Sequence, residues 1–275
     1  MQHTIDAIRS EILTAIRNDE LVLPTMPEVA LRLREAAEDE NCDAASIARV
    51  IGNDAALTAR IIRIANSPLV RGVQSVEDLQ MAVSRMGVTY TSNLAIGIAM
   101  EQLFQATSDA VDNRMRATWE HSTEVAGLSH VICRHFTRLS PDQATLGGLV
   151  HEIGKLPILA WADDHDWDEE LIDEVCEKLH PELGRMILKA WDFPEELLDV
   201  PCQYNEFTRT VDSPDYVDVV MVANLHSWAG TDHPYAKLDW SGIKAFDNLG
   251  MSVDVVLAEA EDLVDEISAA RDILH

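Results

Sequence analysis

Positive charge is what this chain has least of: 5 lysines and 16 arginines stand against 48 acidic residues, a formal net charge of −27. So little basic surface repels phosphate backbones and anionic lipid, which excludes general nucleic-acid binding and attachment to a membrane surface. Cysteine is also sparse. Cys42, Cys133, Cys176 and Cys202 are scattered with no CxxC pair, so they read as reduced thiols rather than a disulfide framework or a zinc site. Long apolar runs are missing: the longest, Leu94 to Met100 with its glycine, falls far short of the roughly 20 residues of a membrane span. The opening Met1-Gln2-His3-Thr4-Ile5-Asp6 reaches a charge before an apolar run can start. No signal peptide is read there, and a cytoplasmic location is expected. Fixed-period repeats and low-complexity tracts are absent too, and strand patterns nearly so.

What remains is an ordinary apolar content, 47% of 275 residues. That is enough for one large domain or two intimate subdomains with a substantial core, so the charge does not imply disorder. The charge is uneven: residues 1–106 carry a net −5 and residues 107–275 a net −22. An acid-rich, lysine-poor surface is one that salty surroundings favour.

Almost every segment has helical period. Ile5, Ile8, Ile12, Leu13 and Ile16 give an amphipathic opening helix. Leu23-Pro24-Thr25-Met26-Pro27 interrupts it, because proline disfavours helix in the residue before it. A second helix runs to about Glu38. Asp43 caps a third, ending near Gly52, and Asp54 caps a fourth through Asn66, with Leu57, Ile61, Ile64 and Ala65 as its buried stripe and Arg60 and Arg63 as solvated side chains. Ser75 is expected to open a helix to Gly87, and another is expected from Thr89 to Phe104. Polar sequence near 106–112 precedes a long helix at about 113–137 and marks the expected subdomain boundary, giving units 1–106 and 107–275. Ser140-Pro141 starts the next helix, with serine at the cap and proline at the first helical position. Further helices are expected at 168–179, 181–191, 194–203, 216–229 and 252–274, with loops at 206–213 and 231–240. Trp119, Trp191 and Trp228 read as core or interface residues. The sum is an all-α chain in two packed helical halves.

His151-Glu152-Ile153-Gly154-Lys155 carries the strongest chemical signal, because an adjacent imidazole and carboxylate can both reach one metal ion. Thirty residues upstream lies Trp119-Glu120-His121-Ser122, and about seventy downstream lies Asn224. A His on one helix, a His-acid pair on a second and an acid on a third is how a helical bundle assembles a metal-phosphohydrolase site.

At these residues the sequence resembles the HD superfamily of metal-dependent phosphohydrolases. Over residues 20–230 it resembles the HDOD domain, the HD-related output domain of bacterial signalling. The matching stretches are Leu23 to Pro27, Asn53 to Arg60 continuing to Ile64-Ala65-Asn66-Ser67, and Ala82 to Gly87. They continue with Trp119 to Ser122, Gly148 to Lys155, and His180-Pro181-Glu182-Leu183-Gly184 leading to Trp191 and Pro194. The resemblance implies an all-α fold whose second, HD-like half is degenerate, because the chain departs from the catalytic pattern. Where an HD enzyme has Asp after His, this chain has Glu152; its distant Asp is Asn224; and Gln203 and Tyr204 stand where some HD enzymes place paired histidines. An amide is a weak, neutral ligand, and one extra methylene displaces a carboxylate by about an ångström, more than such sites tolerate.

His121, His151, Glu152 and Asn224 are therefore vestigial metal candidates at which no metal is expected, and no catalytic or cofactor-binding residue is assigned. His121 and His151 read first as histidines bonded to each other or to backbone. Lys155 after Gly154 suits a helix carboxyl cap, and His180 before Pro181 suits a helix entry. Both are also possible groove residues. The expectation is a non-enzymatic signalling module that binds a protein partner or a small ligand in the groove between its halves, with no nucleic acid and no membrane. The alternative is a divalent-metal phosphohydrolase using His121, His151 and Glu152. Residues 1–20 and 231–275 are too short for a receiver, cyclase or kinase domain, so any input is expected to arrive by binding.

The net −22 on residues 107–275 should make salt stabilising, since screening relieves self-repulsion. The thermal midpoint is expected to rise with sodium chloride; a midpoint that stays flat or falls between low and physiological salt removes the argument.

Overall fold

The computed structural model describes residues 2–67, 70, 74–105, 109–165, 167–253, 263, 266 and 267. All regular structure among them is helical. The first six helices are α1 (Gln2–Arg17), α2 (Glu28–Glu38), α3 (Ala44–Ile51), α4 (Ala55–Ala65), α5 (Leu79–Met86) and α6 (Val88–Ala99). Then follow α7 (Asp109–Phe136), α8 (Pro141–Val150), α9 (Lys155–Asp164) and α10 (Glu169–Ala190). The chain continues through α11 (Glu195–Leu198), α12 (Val200–Gln203), α13 (Tyr216–Ser227) and α14 (Lys244–Leu249). No described helix is long and apolar enough to cross a membrane. The expected helix at 252–274 lies almost wholly outside the described residues.

The early caps form as read. The Asp43 carboxylate accepts from the Ser46 N–H and that of Asp54 from the N–H groups of Ala56 and Leu57. In α4, Leu57, Ile61, Ile64 and Ala65 are buried. Arg60, expected in solvent, instead pairs with Glu101, its side chain 15% exposed, because the 3₁₀ turn Met100–Leu103 after α6 brings that carboxylate over α4. Arg63 is exposed as read. The helix expected from Ser75 begins only at Leu79, capped by Asp78. Asn66 is the reason: its amide nitrogen donates to the Val76 carbonyl (2.9 Å) and its oxygen accepts from the Val76 N–H (2.8 Å), clamping that segment as extended chain. The helix expected to run to Phe104 ends at Ala99 and continues as the 3₁₀ turn.

The largest difference is at Pro181. The two helices expected on either side of it are one helix, α10. Proline removes one intrahelical N–H bond, yet α10 is held on both sides of the break, against α9, α12 and α1. Arg9 on α1 makes a two-pronged ion pair with Glu182 (2.7 and 2.8 Å). Just past the end of α10 the Trp191 indole N–H donates to the Pro24 carbonyl (2.9 Å), and Arg34 donates to the Trp191 carbonyl. Leu23-Pro24-Thr25-Met26-Pro27 thus acts as a docking strap as well as a helix breaker. One hydrophobic cluster runs through all of it, from Ile5 on α1 to Met251 and Ile267.

Close helix approaches set the geometry around α8. A Cβ added at Gly148 would lie 2.5 Å from the Ala126 Cα and 2.7 Å from its nitrogen, both backbone atoms of α7. At neighbouring Gly147 a Cβ would make ordinary contacts, 3.4 Å to Val220 and 3.5 Å to Leu197. Gly148→Ala should therefore cost about 2–3 kcal/mol by forcing α7 and α8 apart, whereas Gly147→Ala should stay within about 1 kcal/mol of the parent, helped by alanine's helix propensity. Urea unfolding of the two variants tests this; equal losses would show that the α7–α8 distance is not what restricts position 148.

Candidate functional site

Around the Gly148 contact, α7, α9, α10 and α13 and the turns beside them converge on one group of polar side chains. His121 comes from the middle of α7. His151 and Glu152 lie in the turn between α8 and α9, Lys155 is the first residue of α9, and His180 projects from α10. Tyr204 follows α12 and Asn224 lies on α13. Five of these are almost sealed from solvent: His151 is 0%, Asn224 1%, His180 2%, Tyr204 3% and Glu152 6% exposed.

The hydrogen bonds fix most of the orientations. His151 donates from Nδ1 to the Gly148 carbonyl (2.6 Å), which leaves its Nε2 as a lone-pair acceptor facing inward, and that atom is buried with no partner. His180 likewise donates from Nδ1 to the Cys176 carbonyl (2.7 Å), so its Nε2 accepts from the Tyr204 hydroxyl at 3.0 Å. That hydroxyl also lies 3.3 Å from Glu152 Oε1. His121 Nε2 lies 3.0 Å from Asn224 Oδ1 and, with the amide so placed, donates to it, while Asn224 Nδ2 is buried without a partner. Lys155 Nζ meets Glu152 Oε1 at 2.6 Å.

Two expectations about this stretch are corrected. Gly154 is not a left-handed carboxyl cap: its φ is −66°, and it lies at the start of α9. It is glycine because a Cβ there would run into the His180 carbonyl and come within 2.5 Å of the Gly184 nitrogen on α10. Lys155 accordingly sits at an amino-terminal helix end, where the helix dipole opposes a cation; Glu152 holds it there. His180 is not a helix entry but an interior residue of α10.

Burial sets the electrostatics. It pushes the imidazole pKa values down, to about 3 for His151 and about 4 for His180, and lowers His121 as well. These rings are neutral at pH 7. Burial would raise the Glu152 carboxyl, but the Lys155 ammonium together with His121, His151 and His180 outweighs it and holds that carboxyl below its usual range.

His121, Lys155 and His180 line a cavity of about 430 Å³ whose walls are α7, α9, α10 and α13, rather than a groove between the two halves. A second cleft of about 430 Å³ does lie between the α5–α6 and α7–α8 segments, and neither Lys155 nor His180 borders it. The sequence reading missed several groups of the first cavity. Tyr204 was noted only as a departure from a histidine pair. Trp228, taken for core, stacks on His121 (ring centroids 4.6 Å apart) and on His233 (4.0 Å). His233 and Tyr235 belong to the expected 231–240 surface loop, which folds back as a 3₁₀ turn over the opening. A His-Pro-Tyr sequence inside an otherwise polar loop is the signal that could have found them.

Nearest ligand atoms of His121, His151 and Glu152 lie within 4.8 Å of one another, close enough for one divalent ion to touch all three. The remaining chemistry does not fit such an ion. The Glu152 carboxylate already holds an ammonium, His121 directs its N–H at Asn224, and Asn224 brings no charge.

The comparisons with known proteins follow this geometry. The HDOD domain model matches residues 23–206. The chain belongs to the HDOD domain family. Among solved structures, it is similar to a Shewanella amazonensis SB2B protein described as a candidate metal-dependent phosphohydrolase, with 28% identity, a TM-score of 0.86, and 98% of this chain and 99% of that one covered. An HDOD domain protein of unknown function from Geobacter sulfurreducens shares the fold at 21% identity and a TM-score of 0.66, over 98% of this chain and 99% of that one. So does a candidate signal transduction protein from Marinobacter aquaeolei VT8, at 20% identity and a TM-score of 0.65, over 98% of this chain and 66% of that one. An uncharacterized protein of Treponema pallidum (strain Nichols) is 20% identical over 194 residues, 64% of this chain. The HDOD chain spans only about a third of that relative's length, 36%.

The buried histidines predict acid sensitivity. His130, His180 and His226 each have a folded pKa pushed down by burial to about 4, against 6.5 when unfolded. Between these values the unfolded chain binds more protons, so stability is full above pH 6.5 and falls as pH drops toward 4. A loss of about 2 kcal/mol or more across that window is expected. His226, whose Nε2 has no partner and whose ring packs edge-on against the stacked Trp240 and Phe246, gives the discriminating variant. His226→Leu should flatten part of the slope with little loss at pH 7; an unchanged slope would assign the acid loss elsewhere.

Proposed function

We propose that this HDOD chain is a non-catalytic signal-transduction module that works by binding a protein partner or a small ligand. The observation that carries the reading is the charge balance of the buried site. One carboxylate, Glu152, faces one ammonium, Lys155, and every imidazole around them is neutral at pH 7. The site is electrically closed without a metal ion, so nothing in it is poised to lower the pKa of a bound water, which a metal-assisted hydrolysis requires. Asn224 belongs to this balance, since a second buried carboxylate beside Glu152 would have no cation to answer it. The signalling role comes from the family and from the description of the Marinobacter relative. The absence of basic surface argues against nucleic acid as the partner.

A second reading is supported by the convergence of His121, His151 and Glu152 and by the description of the Shewanella relative. On it the chain is a divalent-metal phosphohydrolase with an altered site. The two readings part on one experiment. With magnesium, manganese or iron supplied, no hydrolysis of nucleotides, cyclic dinucleotides or generic phosphodiesters is expected. The double variant Glu152→Asp with Asn224→Asp is expected to bind metal more tightly in calorimetry than the parent, because it restores ligand charge and length together, even with no turnover regained. Robust parental turnover that His151→Ala abolishes would establish the enzyme reading instead.

A further inference from the structure

We infer that the cleft between the α5–α6 corner and the α7–α8 segment binds a small zwitterion, an amino acid or a dipeptide, whose carboxylate meets Arg85 and whose ammonium meets Asp142. The inference goes beyond the reading above. It names a site apart from the Glu152 cavity and holds whether or not that cavity takes a metal ion.

Two opposite charges line this cleft without pairing. Arg85, near the end of α5, donates to the Ala65 carbonyl (3.1 Å) and to the Gln74 carbonyl. Those acceptors are neutral, so they hold the guanidinium in place without answering its charge, and no carboxylate among the described residues pairs with it. Its remaining N–H groups are donors for an anion. Arg134, the other cation of the cleft, is already paired with Glu266 (3.0 Å). Asp142 is the second residue of α8 and only partly exposed. Burial pushes its carboxyl pKa up, and its own backbone N–H is the one donor that opposes this. The helix dipole favours an acid at this position, but the carboxylate has no side-chain partner among the described residues.

The groups beside Asp142 also call for a donor. Thr145 Oγ1 donates to the Pro141 carbonyl (2.8 Å), so it accepts from His130 Nδ1 (3.1 Å). That fixes the tautomer of His130, which burial keeps neutral with a pKa of about 4, and leaves its Nε2 as a lone-pair acceptor without a partner among the described residues. Tyr90 lies beside it, ring centroids 5.5 Å apart. After burial, the Asp142 charge is what raises the Tyr90 phenol most, so carboxylate, imidazole and phenol share one end of the cleft. Met86 and Val88 add apolar wall. A ligand bearing only an anion would meet Asp142 as a like charge, and one bearing only a cation would meet Arg85 so. A molecule with an ammonium and a carboxylate answers both, with a charge-assisted hydrogen bond at each end. The volume of about 430 Å³ is that of a small-molecule site.

The experiment is a calorimetric titration of the full-length protein with the common amino acids and a set of dipeptides, each binder then repeated in its N-acetylated and C-amidated forms. At least one zwitterion should bind, and blocking either end should weaken it about tenfold or more. Asp142→Asn, which keeps the side-chain size, should bind the free and the N-acetylated forms alike and weakly. Arg85→Gln should likewise cease to distinguish the free from the amidated form. A merely structural role at either position would weaken both forms together and leave their ratio unchanged, which overturns the inference. If Arg85→Gln loses its helical circular dichroism, Asp142→Asn alone decides. Binding by amino acids and not dipeptides, or the reverse, supports the inference and assigns the length of the ligand. No binding by any of them at millimolar concentration overturns it, and so does binding that survives blocking of both ends.

Discussion

A carboxylate sealed inside a helical bundle has to be answered by charge and hydrogen bonds, and much of this molecule is arranged around that requirement at Glu152. Transferring an unpaired carboxylate from water to such a site costs several kcal/mol even after relaxation. Here the compensation comes from the Lys155 ammonium of the next turn and, as a lesser share, from the Tyr204 hydroxyl beyond α12, whose one proton lies between Glu152 and His180 Nε2. Each in turn requires something of its own neighbours. Lys155 requires α9 to begin where it does, which requires Gly154 to touch α10. Tyr204 lies against His180, whose other nitrogen is tied to the Cys176 carbonyl. The site and the packing of α9, α10 and α12 are one set of constraints rather than a pocket added to a scaffold.

Helix α10 extends that set across the molecule. Its first half, before Pro181, presents His180 to the cavity; its second half carries Glu182 to Arg9 of α1 and ends at Trp191, which holds the Pro24 carbonyl. The proline falls between these two jobs. An interior proline weakens a helix at one point, and here that point separates the residues facing the cavity from those gripping the first helices. A rigid-body adjustment of one part relative to the other would be felt at both ends, the kind of small step by which packed helices switch.

Much of the fold could be read from the sequence because the signals were local. Asp43 and Asp54 cap the helices they precede, the Leu57-Ile61-Ile64-Ala65 stripe is buried, and Ser140-Pro141 opens α8, each settled within a few residues. The misreadings share a different cause. At Ser75, Pro181 and Gly154 the local preference was real but a distant partner overrode it: Asn66 clamped the chain before α5, the helices around α10 held it through the proline, and α10 itself required the glycine. Arg60 looked solvated because its partner Glu101 is 41 residues away. The site was legible in its histidines and acids, which a motif displays. It was illegible in Tyr204, Trp228, His233 and Tyr235, because aromatic walls carry no spacing rule and only the folded chain shows which aromatics face a cavity.

The substitutions from the catalytic pattern are also better understood together than singly. Taken alone, Glu152 is a misplaced ligand and Asn224 a weak one. Taken with Lys155 they form a consistent whole: the longer glutamate places its carboxylate oxygen 2.6 Å from the ammonium, and the neutral amide accepts the His121 N–H without adding a charge the lysine could not balance. A degenerating metal site that lost its ligands at random would leave buried charges unmatched, a penalty of the order of 3–5 kcal/mol for each broken pair. No such imbalance stands here. The buried acceptor His151 Nε2 and the buried donor Asn224 Nδ2 are the two polar atoms of the cluster left without partners, and both are uncharged. On the non-catalytic reading proposed above, what has been given up is the double positive charge of a metal ion, and with it the means to activate water. What the structure keeps is a walled cavity and the helix contacts that surround it.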